Sequence, residues 1–255
     1  MAGPRTTTPR RERPLRVGHK GAAEIEPGNT LQSFDAALRH GSEMIELDVL
    51  SECSDGSGRL LVAHDYEDIA ERSQDIAERS PLSFEQALAH LAGESFAAVG
   101  FDVDVKLPGY EQRVVQALRE HGLIERTLLS TMFAQTLARV RELEPALRLG
   151  WSVPRVKRDY TTHLLTAIPA LAALTGYRAL LPSRARAGLR EGRFDAVMAH
   201  WRVVTPALVR SVHDGGGELY VWTVDDAPRI AKLSALGVDA IITNDPRLFE
   251  PTGER

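Results

Sequence analysis

The sequence predicts an α/β protein, and within that class a TIM (β/α)8 barrel, on two observations. Eight short apolar segments recur along the 255 residues, and between them lie longer segments with apolar residues at three- and four-residue spacing. Strands that alternate with helices form a parallel sheet, and eight such units close into a barrel. The predicted strands are 15–18, 44–50, 99–105, 127–130, 147–152, 196–199, 218–223 and 240–243.

The predicted helices fall between these strands, at 31–39, 84–91, 111–120, 136–143, 206–212 and 228–236. Two segments depart from the simple repeat. Residues 51–81 contain two glycines and a short apolar run, which predicts a small hairpin-like excursion after the second strand. Residues 155–194 are apolar at first and basic later, which predicts two helices in one long crossover.

The composition indicates one domain that acts on a small molecule. Residues 1–14 are rich in Arg, Pro and Thr and lack an apolar run, so we expect a disordered tail before a single domain at 15–255. The net charge of -4 offers no basic surface to nucleic acid, and no segment is apolar enough for a membrane span. Cys53 is the single cysteine, which excludes an internal disulfide and fits a cytoplasmic location.

Two acids of the second predicted strand give the first indication of function. Side chains two residues apart on a strand leave the same face, so Glu46 and Asp48 point together. Ile45, Leu47 and Val49 point the other way. Buried carboxylates this close repel each other and lose hydration unless a cation or a proton compensates. The strand therefore predicts a divalent ion, with a solvated edge strand that carries ordinary surface acids as the alternative.

Charged residues and histidines cluster at the ends of the first three predicted strands. Because the active site of a TIM barrel lies at the carboxyl ends of its strands, this clustering predicts a catalytic centre. The residues are His19 and Lys20 after the first strand, Glu46 and Asp48 on the second, His64 and Asp65 in the excursion, and Asp102, Asp104 and Lys106 on the third.

Seven short motifs contain most of these residues and follow one another from Val17 to Pro246. They are Gly18-His19-Lys20-Gly21, Pro27-Gly28-Asn29-Thr30, Ile45-Glu46-Leu47-Asp48-Val49, Val62-Ala63-His64-Asp65, Asp104-Val105-Lys106, Val221-Trp222-Thr223-Val224 and Gly237-Val238-Asp239-Ala240-Ile241-Ile242-Thr243-Asn244-Asp245-Pro246. On these motifs the chain resembles the glycerophosphodiester phosphodiesterase family. The resemblance implies a metal-dependent TIM-barrel hydrolase that cleaves glycerophosphodiesters to glycerol 3-phosphate and an alcohol.

The resemblance also implies a role for individual residues. These are His19 and His64 for acid/base catalysis; Glu46, Asp48 and Asp104 for a divalent cation; and Lys20, Lys106 and Trp222 for the substrate. Three carboxylates offer only oxygen ligands, which suit Mg²⁺ or Ca²⁺, with Mn²⁺ as a further candidate, rather than Zn²⁺. Histidine titrates near neutral pH and can serve as either acid or base. Trp222 has a second interpretation as a core residue, and Asn29 or Thr30 is expected to cap the helix 31–39.

The chain departs from the family's usual residues at four positions. Lys20, Gly28, Asp104 and Asn244 stand where the family usually has Arg, Glu, Glu and Asp. Lys20 keeps the charge of arginine but loses the planar fork that binds a phosphate in a bidentate manner. Two alternatives follow. The Asp-x-Lys pattern at Asp104 also occurs in phospholipase D-like enzymes that act on lipid phosphodiesters, and the departures together suggest a non-catalytic barrel that binds a phosphoester.

Overall fold

The structure is a computed structural model that describes residues 11–74, 81–155 and 164–249. In these residues, parallel strands close into a barrel in the order β1-β9-β8-β7-β6-β5-β4-β2, and a β1–β2 pairing completes the ring. The predicted TIM barrel is confirmed. The strands are β1 (Leu15–Gly18), β2 (Met44–Ser51), β3 (Leu60–Leu61), β4 (Gly100–Val105), β5 (Thr127–Thr131), β6 (Arg148–Val153), β7 (Ala196–His200), β8 (Glu218–Trp222) and β9 (Ala240–Thr243).

Helices surround the barrel, and the six that the apolar spacing predicts are present, together with α2 and α6. Thr30 caps the first of them and forms a capping box with Ser33, as expected. Gly237 ends the last one in the left-handed conformation, with φ 85. The helices are α1 (Leu31–Arg39), α2 (Tyr66–Gln74), α3 (Phe84–Leu91), α4 (Glu111–Glu120), α5 (Ala134–Leu143), α6 (Leu164–Arg190), α7 (Pro206–Asp214) and α8 (Ala227–Leu236).

The excursion after β2 is the predicted hairpin. β3 pairs with β2 antiparallel, with Leu50 opposite Leu61, and α2 follows. Residues 75–80, which complete the predicted excursion, lie outside the described part of the chain.

The prediction for the long crossover is wrong in one respect, because α6 is one continuous helix rather than two. Residues 156–163 of the predicted crossover lie outside the described part of the chain. Its buried residues Leu181, Ala185 and Leu189 recur every four positions, so one unbroken face packs on the barrel. Arg184, Arg186 and Arg190 of the same helix are exposed, which agrees with a solvated basic face. Within the described ranges, none of the helices combines the length and the apolar character that crossing a membrane requires.

The predicted tail is described only from residue 11 onward. Arg13 Nη1 lies 2.5 Å from Glu43 Oε2, and Arg11 Nη1 lies 3.5 Å from Glu43 Oε1, at the amino-terminal end of β2. Disorder in residues 1–14 and a domain limited to 15–255 stay predictions.

Apolar side chains fill the lower half of the barrel and leave the upper half to polar ones. The lower layer is closed by Val17, Met44, Leu128, Ala196, Met198, Tyr220, Ala240 and Ile242. Because side chains alternate along a strand, the inward face that begins with Met44 continues upward with Glu46 and Asp48. Ile45, Leu47 and Val49 belong to the outer core between the sheet and the helices. The fold therefore places the acids of β2 inside the mouth of the barrel.

Candidate active site

The acids of β2 and β4 lie side by side because of the strand register. Glu46 pairs with Asp102 and Asp48 pairs with Asp104, so all four carboxyl groups face the interior. One carboxylate oxygen from each of Glu46, Asp48 and Asp104 lies within 4.8 Å of the other two. The structure thus brings together the three residues that the sequence predicts for a cation.

Two lysines neutralise part of this negative charge. Lys106 Nζ contacts Asp48 Oδ1 and lies 2.5 Å from Asp104 Oδ2, while Lys20 Nζ lies 3.5 Å from Asp48 Oδ2. Burial opposes ionisation of Asp48, but Lys106 and Lys20 outweigh burial and hold the pKa of that carboxyl well below its usual value. Asp48 is therefore an anion that two cations stabilise.

The remaining acids are not fully compensated. Burial, and then the charge of Asp48, raise the pKa of Glu46 well above its usual value. Burial likewise raises the pKa of Asp102 to about 8. Carboxylates that resist ionisation beside one another are stabilised by a cation. Hard oxygen donors with unbalanced negative charge fit a divalent ion such as Mg²⁺ or Ca²⁺, and Glu46, Asp48 and Asp104 are the residues that would hold it.

His19 follows β1 and lies beside the acids. Its Nε2 is 3.9 Å from Glu46 Oε2, and its Nδ1 is 2.6 Å from Asn244 Oδ1. Burial lowers the pKa of His19 to about 4, although Asp48 and Asn244 act in the opposite direction. The imidazole is therefore neutral at pH 7.

Asn244 and Asp225 decide which nitrogen of His19 carries the proton. Asp225 accepts hydrogen bonds from the Asn244 side-chain Nδ2 at 2.6 Å and from the Asn244 backbone nitrogen at 2.7 Å. A carboxylate only accepts, so the amide NH₂ must face Asp225 and the amide oxygen must face His19. His19 Nδ1 then donates to Asn244, and Nε2 keeps its lone pair on the side of the acids. In the sequence Asn244 shows only a departure from the family's usual Asp, because the contact that gives it this function joins residues 225 positions apart.

His64 lies between β3 and α2, in the excursion after β2. Its Nδ1 lies 2.8 Å from Asp65 Oδ2, so Asp65 accepts the Nδ1 proton and leaves Nε2 for other partners. The side chain is 50% exposed, in contrast to His19. A cavity of about 430 Å³ adjoins His64 and Lys20, and its other lining residues are Ala23, Gly28, Asp65, Glu67, Asp68 and Glu71.

The loop after β1 shapes the site through its backbone. Lys20 has a positive φ of 51, which turns its backbone nitrogen toward Glu46 Oε2 at 2.7 Å. Gly21 has φ 83, and a side chain there would meet the backbone of Ser33 at 2.5 Å. Asn29 is buried and donates from Nδ2 to Asp48 Oδ2 at 2.8 Å, while its Oδ1 accepts from the Asp48 nitrogen at 3.2 Å. Asn29 therefore orients Asp48 and does not cap α1.

Trp222 lies at the end of β8, away from the acids. Its Nε1 donates to Met198 O at 2.9 Å, and its ring meets the edge of His200, with 5.1 Å between the ring centroids. The ring is half-buried at the mouth. The substrate role of Trp222 stays a prediction.

Fold and site together define the class of the protein. Clustered carboxylates, two lysines and two histidines at the carboxyl ends of TIM-barrel strands are suited to hydrolysis of phosphoric diesters. The chain belongs to the glycerophosphoryl diester phosphodiesterase family, whose sequence profile matches residues 66–248. The matched segment includes Asp104, Lys106, Trp222 and Asn244, whereas His19 and the acids of β2 precede it.

Relatives extend the similarity across nearly the whole chain. A glycerophosphodiester phosphodiesterase of Caldanaerobacter subterraneus is 26% identical over 260 residues, covering 91% of this chain and 94% of the relative. One of Arabidopsis thaliana is 29% identical and covers 93% of this chain and 72% of the relative.

Solved structures share the fold. A glycerophosphodiester phosphodiesterase from Parabacteroides distasonis superposes with a TM-score of 0.69 at 18% identity, covering 91% of this chain and 93% of that one. A phosphodiesterase from Oleispira antarctica, solved with the product sn-glycerol-3-phosphate, gives a TM-score of 0.65 at 19% identity, with 92% and 94% covered. The chain is a phosphoric diester hydrolase.

Proposed function

We propose that the protein hydrolyses small glycerophosphodiesters to glycerol 3-phosphate and an alcohol, with a divalent cation and two histidines. The observation that carries this proposal is the site itself: three carboxylates within 4.8 Å, with Lys106 and Lys20 beside them and the two histidines nearby. When bound, a divalent ion stabilises the negative charge that develops on the phosphate oxygens. The lysines attract the phosphodiester and orient it.

The two histidines have different environments, which supports different roles. His19 is neutral and presents the lone pair of Nε2, so it accepts a proton from the attacking hydroxyl. His64 lies beside the cavity and gives a proton to the departing alcohol. The sequence does not indicate which histidine is the base and which is the acid. The hydrogen bond from His19 to Asn244 supports His19 as the base.

A panel of glycerophosphodiesters tests this proposal directly. Purified protein is incubated with each substrate in EDTA and then with added Mg²⁺, Ca²⁺ or Mn²⁺, and both products are quantified. We expect sn-glycerol 3-phosphate and the free alcohol in equal amounts and only with an ion. Cleavage of a long-chain lipid phosphodiester in preference to these substrates would favour the phospholipase D-like alternative. Binding without any product would favour the non-catalytic barrel.

We also propose a cytoplasmic location, which the exposed free thiol of Cys53 supports because such a thiol persists in a reducing compartment.

The walls of the cavity predict a preference for positively charged alcohols. Asp65, Glu67, Asp68 and Glu71 line it opposite Lys20. A substrate whose alcohol carries an ammonium group is attracted there, so kcat/KM should exceed that of the neutral analogue by about ten-fold at low salt. Glycerophosphoethanolamine and glycerophosphoethanol are a matched pair, compared by steady-state kinetics.

The double variant Glu67→Gln and Glu71→Gln should remove most of this preference. Glu120→Gln, on the distant helix α4, serves as the control for lost charge. A preference that is the same in the double variant and the unchanged protein contradicts the prediction.

The hydrogen bond from His19 to Asn244 predicts a loss of turnover in Asn244→Leu. Without the amide oxygen the ring rotates and exchanges tautomers, and a displaced base lowers kcat by about 10²-fold while KM changes little. Steady-state kinetics and the ¹⁵N NMR shifts of the His19 ring measure both effects. Asp226→Asn is the matched control, because Asp226 caps α8 and asparagine caps equally well. An unchanged tautomer in Asn244→Leu would show that Asn244 has no such role.

A further inference from the structure

A fourth carboxyl group lies beside the three that the proposed function assigns to the cation. Asp102 is 1% exposed and stands two residues before Asp104 on the inward face of β4. The strand register sets it directly beside Glu46. It therefore shares the level of Glu46, which is the next inward-facing residue above Met44 of the apolar layer.

The hydrogen bonds of Asp102 are incomplete. Ser130 bonds to its carboxyl group, but Oδ1 has no hydrogen-bond partner within residues 11–74, 81–155 and 164–249. Buried polar groups without partners oppose folding, and buried native carboxyl groups usually have their oxygens satisfied. An apolar side chain at this level would extend the layer below at no such cost. The carboxyl group is thus explained by a ligand above it and not by packing.

We propose that Asp102 is an outer-sphere carboxylate of the cation site, which attracts the ion and the water the ion carries without bonding to the ion. This inference rests on the proposed function, because it requires the cation held by Glu46, Asp48 and Asp104. Those three residues supply the compact group of ligand atoms, and Asp102 lies beside Glu46 but outside that group. Residues that support metal ligands from this distance raise metal affinity substantially.

The same geometry predicts that Asp102 affects the binding of Mg²⁺ more than the binding of Ca²⁺. Mg²⁺ gives up its water reluctantly and usually keeps several molecules in a protein site, whereas Ca²⁺ takes more ligands directly from the protein. An acceptor for water is therefore more important to Mg²⁺ than to Ca²⁺. A residue with a purely structural role would affect both ions equally.

Calorimetric titration of Asp102→Asn with MgCl₂ and with CaCl₂, in the absence of substrate, tests the proposal. Asparagine keeps the shape of the side chain and removes its charge. We expect Mg²⁺ affinity to fall by roughly 10- to 100-fold, and Ca²⁺ affinity to fall less. The Tm of the ion-free protein should rise, because the repulsion between the carboxyl group of Asp102 and those of Glu46 and Asp104 is removed. Glu43→Gln, at the opposite end of β2, is the control for lost charge, and Glu46→Gln shows the effect of losing a direct ligand.

Each outcome decides the matter. Equal affinities in Asp102→Asn and the unchanged protein overturn the proposal, as does an equal loss for both ions. A lower Tm or a variant that does not fold assigns Asp102 a structural role and also overturns it. If the unchanged protein binds neither ion, the metal part of the proposed function fails as well, and the product assay on glycerophosphodiesters shows this independently.

Discussion

Glu46→Gln is expected to lose at least about 10²-fold in turnover, because it removes one of three oxygen ligands from the cation site. A divalent ion stabilises the charged transition state by several kcal/mol, and each 1.36 kcal/mol corresponds to about ten-fold in rate. Glu46 also accepts a hydrogen bond from the Lys20 backbone at 2.7 Å, and glutamine can keep that bond. The substitution therefore changes mainly the charge of the side chain at position 46. Steady-state kinetics at saturating Mg²⁺ and ion-binding calorimetry measure the two effects.

Glu43→Gln is the matched control for this variant. Glu43 immediately precedes the same strand but lies at the other end of the barrel, where it pairs with Arg13. Turnover and ion affinity should both be unchanged in this control. Full activity of the unchanged protein in excess EDTA would rule out the metal dependence. An unaltered ion affinity in Glu46→Gln would contradict the prediction as well.

Removing the hydroxyl next to the phosphate ester of the substrate is expected to slow turnover by at least about 10³-fold. An oxygen held within the same molecule reaches effective concentrations far above those of water. Its attack on phosphorus forms a P–O bond and a cyclic phosphate as the bond to the alcohol breaks. In the predicted reaction, His19 takes the proton of that hydroxyl and His64 gives a proton to the alcohol. Water then opens the ring, with the two roles reversed.

Two measurements test this two-step reaction. The deoxy substrate should bind as a competitive inhibitor yet turn over slowly, and cyclic phosphate should accumulate transiently with the normal substrate. Equal rates for the deoxy and normal substrates would show that water attacks directly, and the cation site is tested separately by the ion-binding measurements.

The histidine roles have a separate test in the leaving group. His19→Ala and His64→Ala should each lose about 10²- to 10⁴-fold with an ordinary alcohol. A p-nitrophenol leaving group departs without protonation, so it should restore much of the rate in His64→Ala and little in His19→Ala. The reverse pattern would exchange the two roles. His213→Gln is the control substitution, because His213 pairs with Asp239 just before the amino-terminal end of β9.

The barrel and most of its elements were predictable because they depend on local patterns. Alternation of apolar residues in β2 and β4 and the helical spacing of α1, α3 and α4 give each element the period of its own structure. The single continuous α6 was not predictable, because its apolar beginning and basic end differ in composition. Its continuity is seen in the face that carries Leu181, Ala185 and Leu189.

By itself, the sequence determined the barrel, the family and the eight residues proposed for catalysis, cation and substrate. Apolar residues at every second position show which face of a strand is buried. The short motifs can be recognised in the sequence without knowledge of the fold. Only the tertiary structure decided the contacts between distant segments. Asn244 is 225 residues from His19, and nothing local shows that its amide, held by Asp225, sets the His19 tautomer. The register that places Asp102 beside Glu46 is likewise set by the closing of the barrel, since pairing of strands depends on residues far apart in the chain.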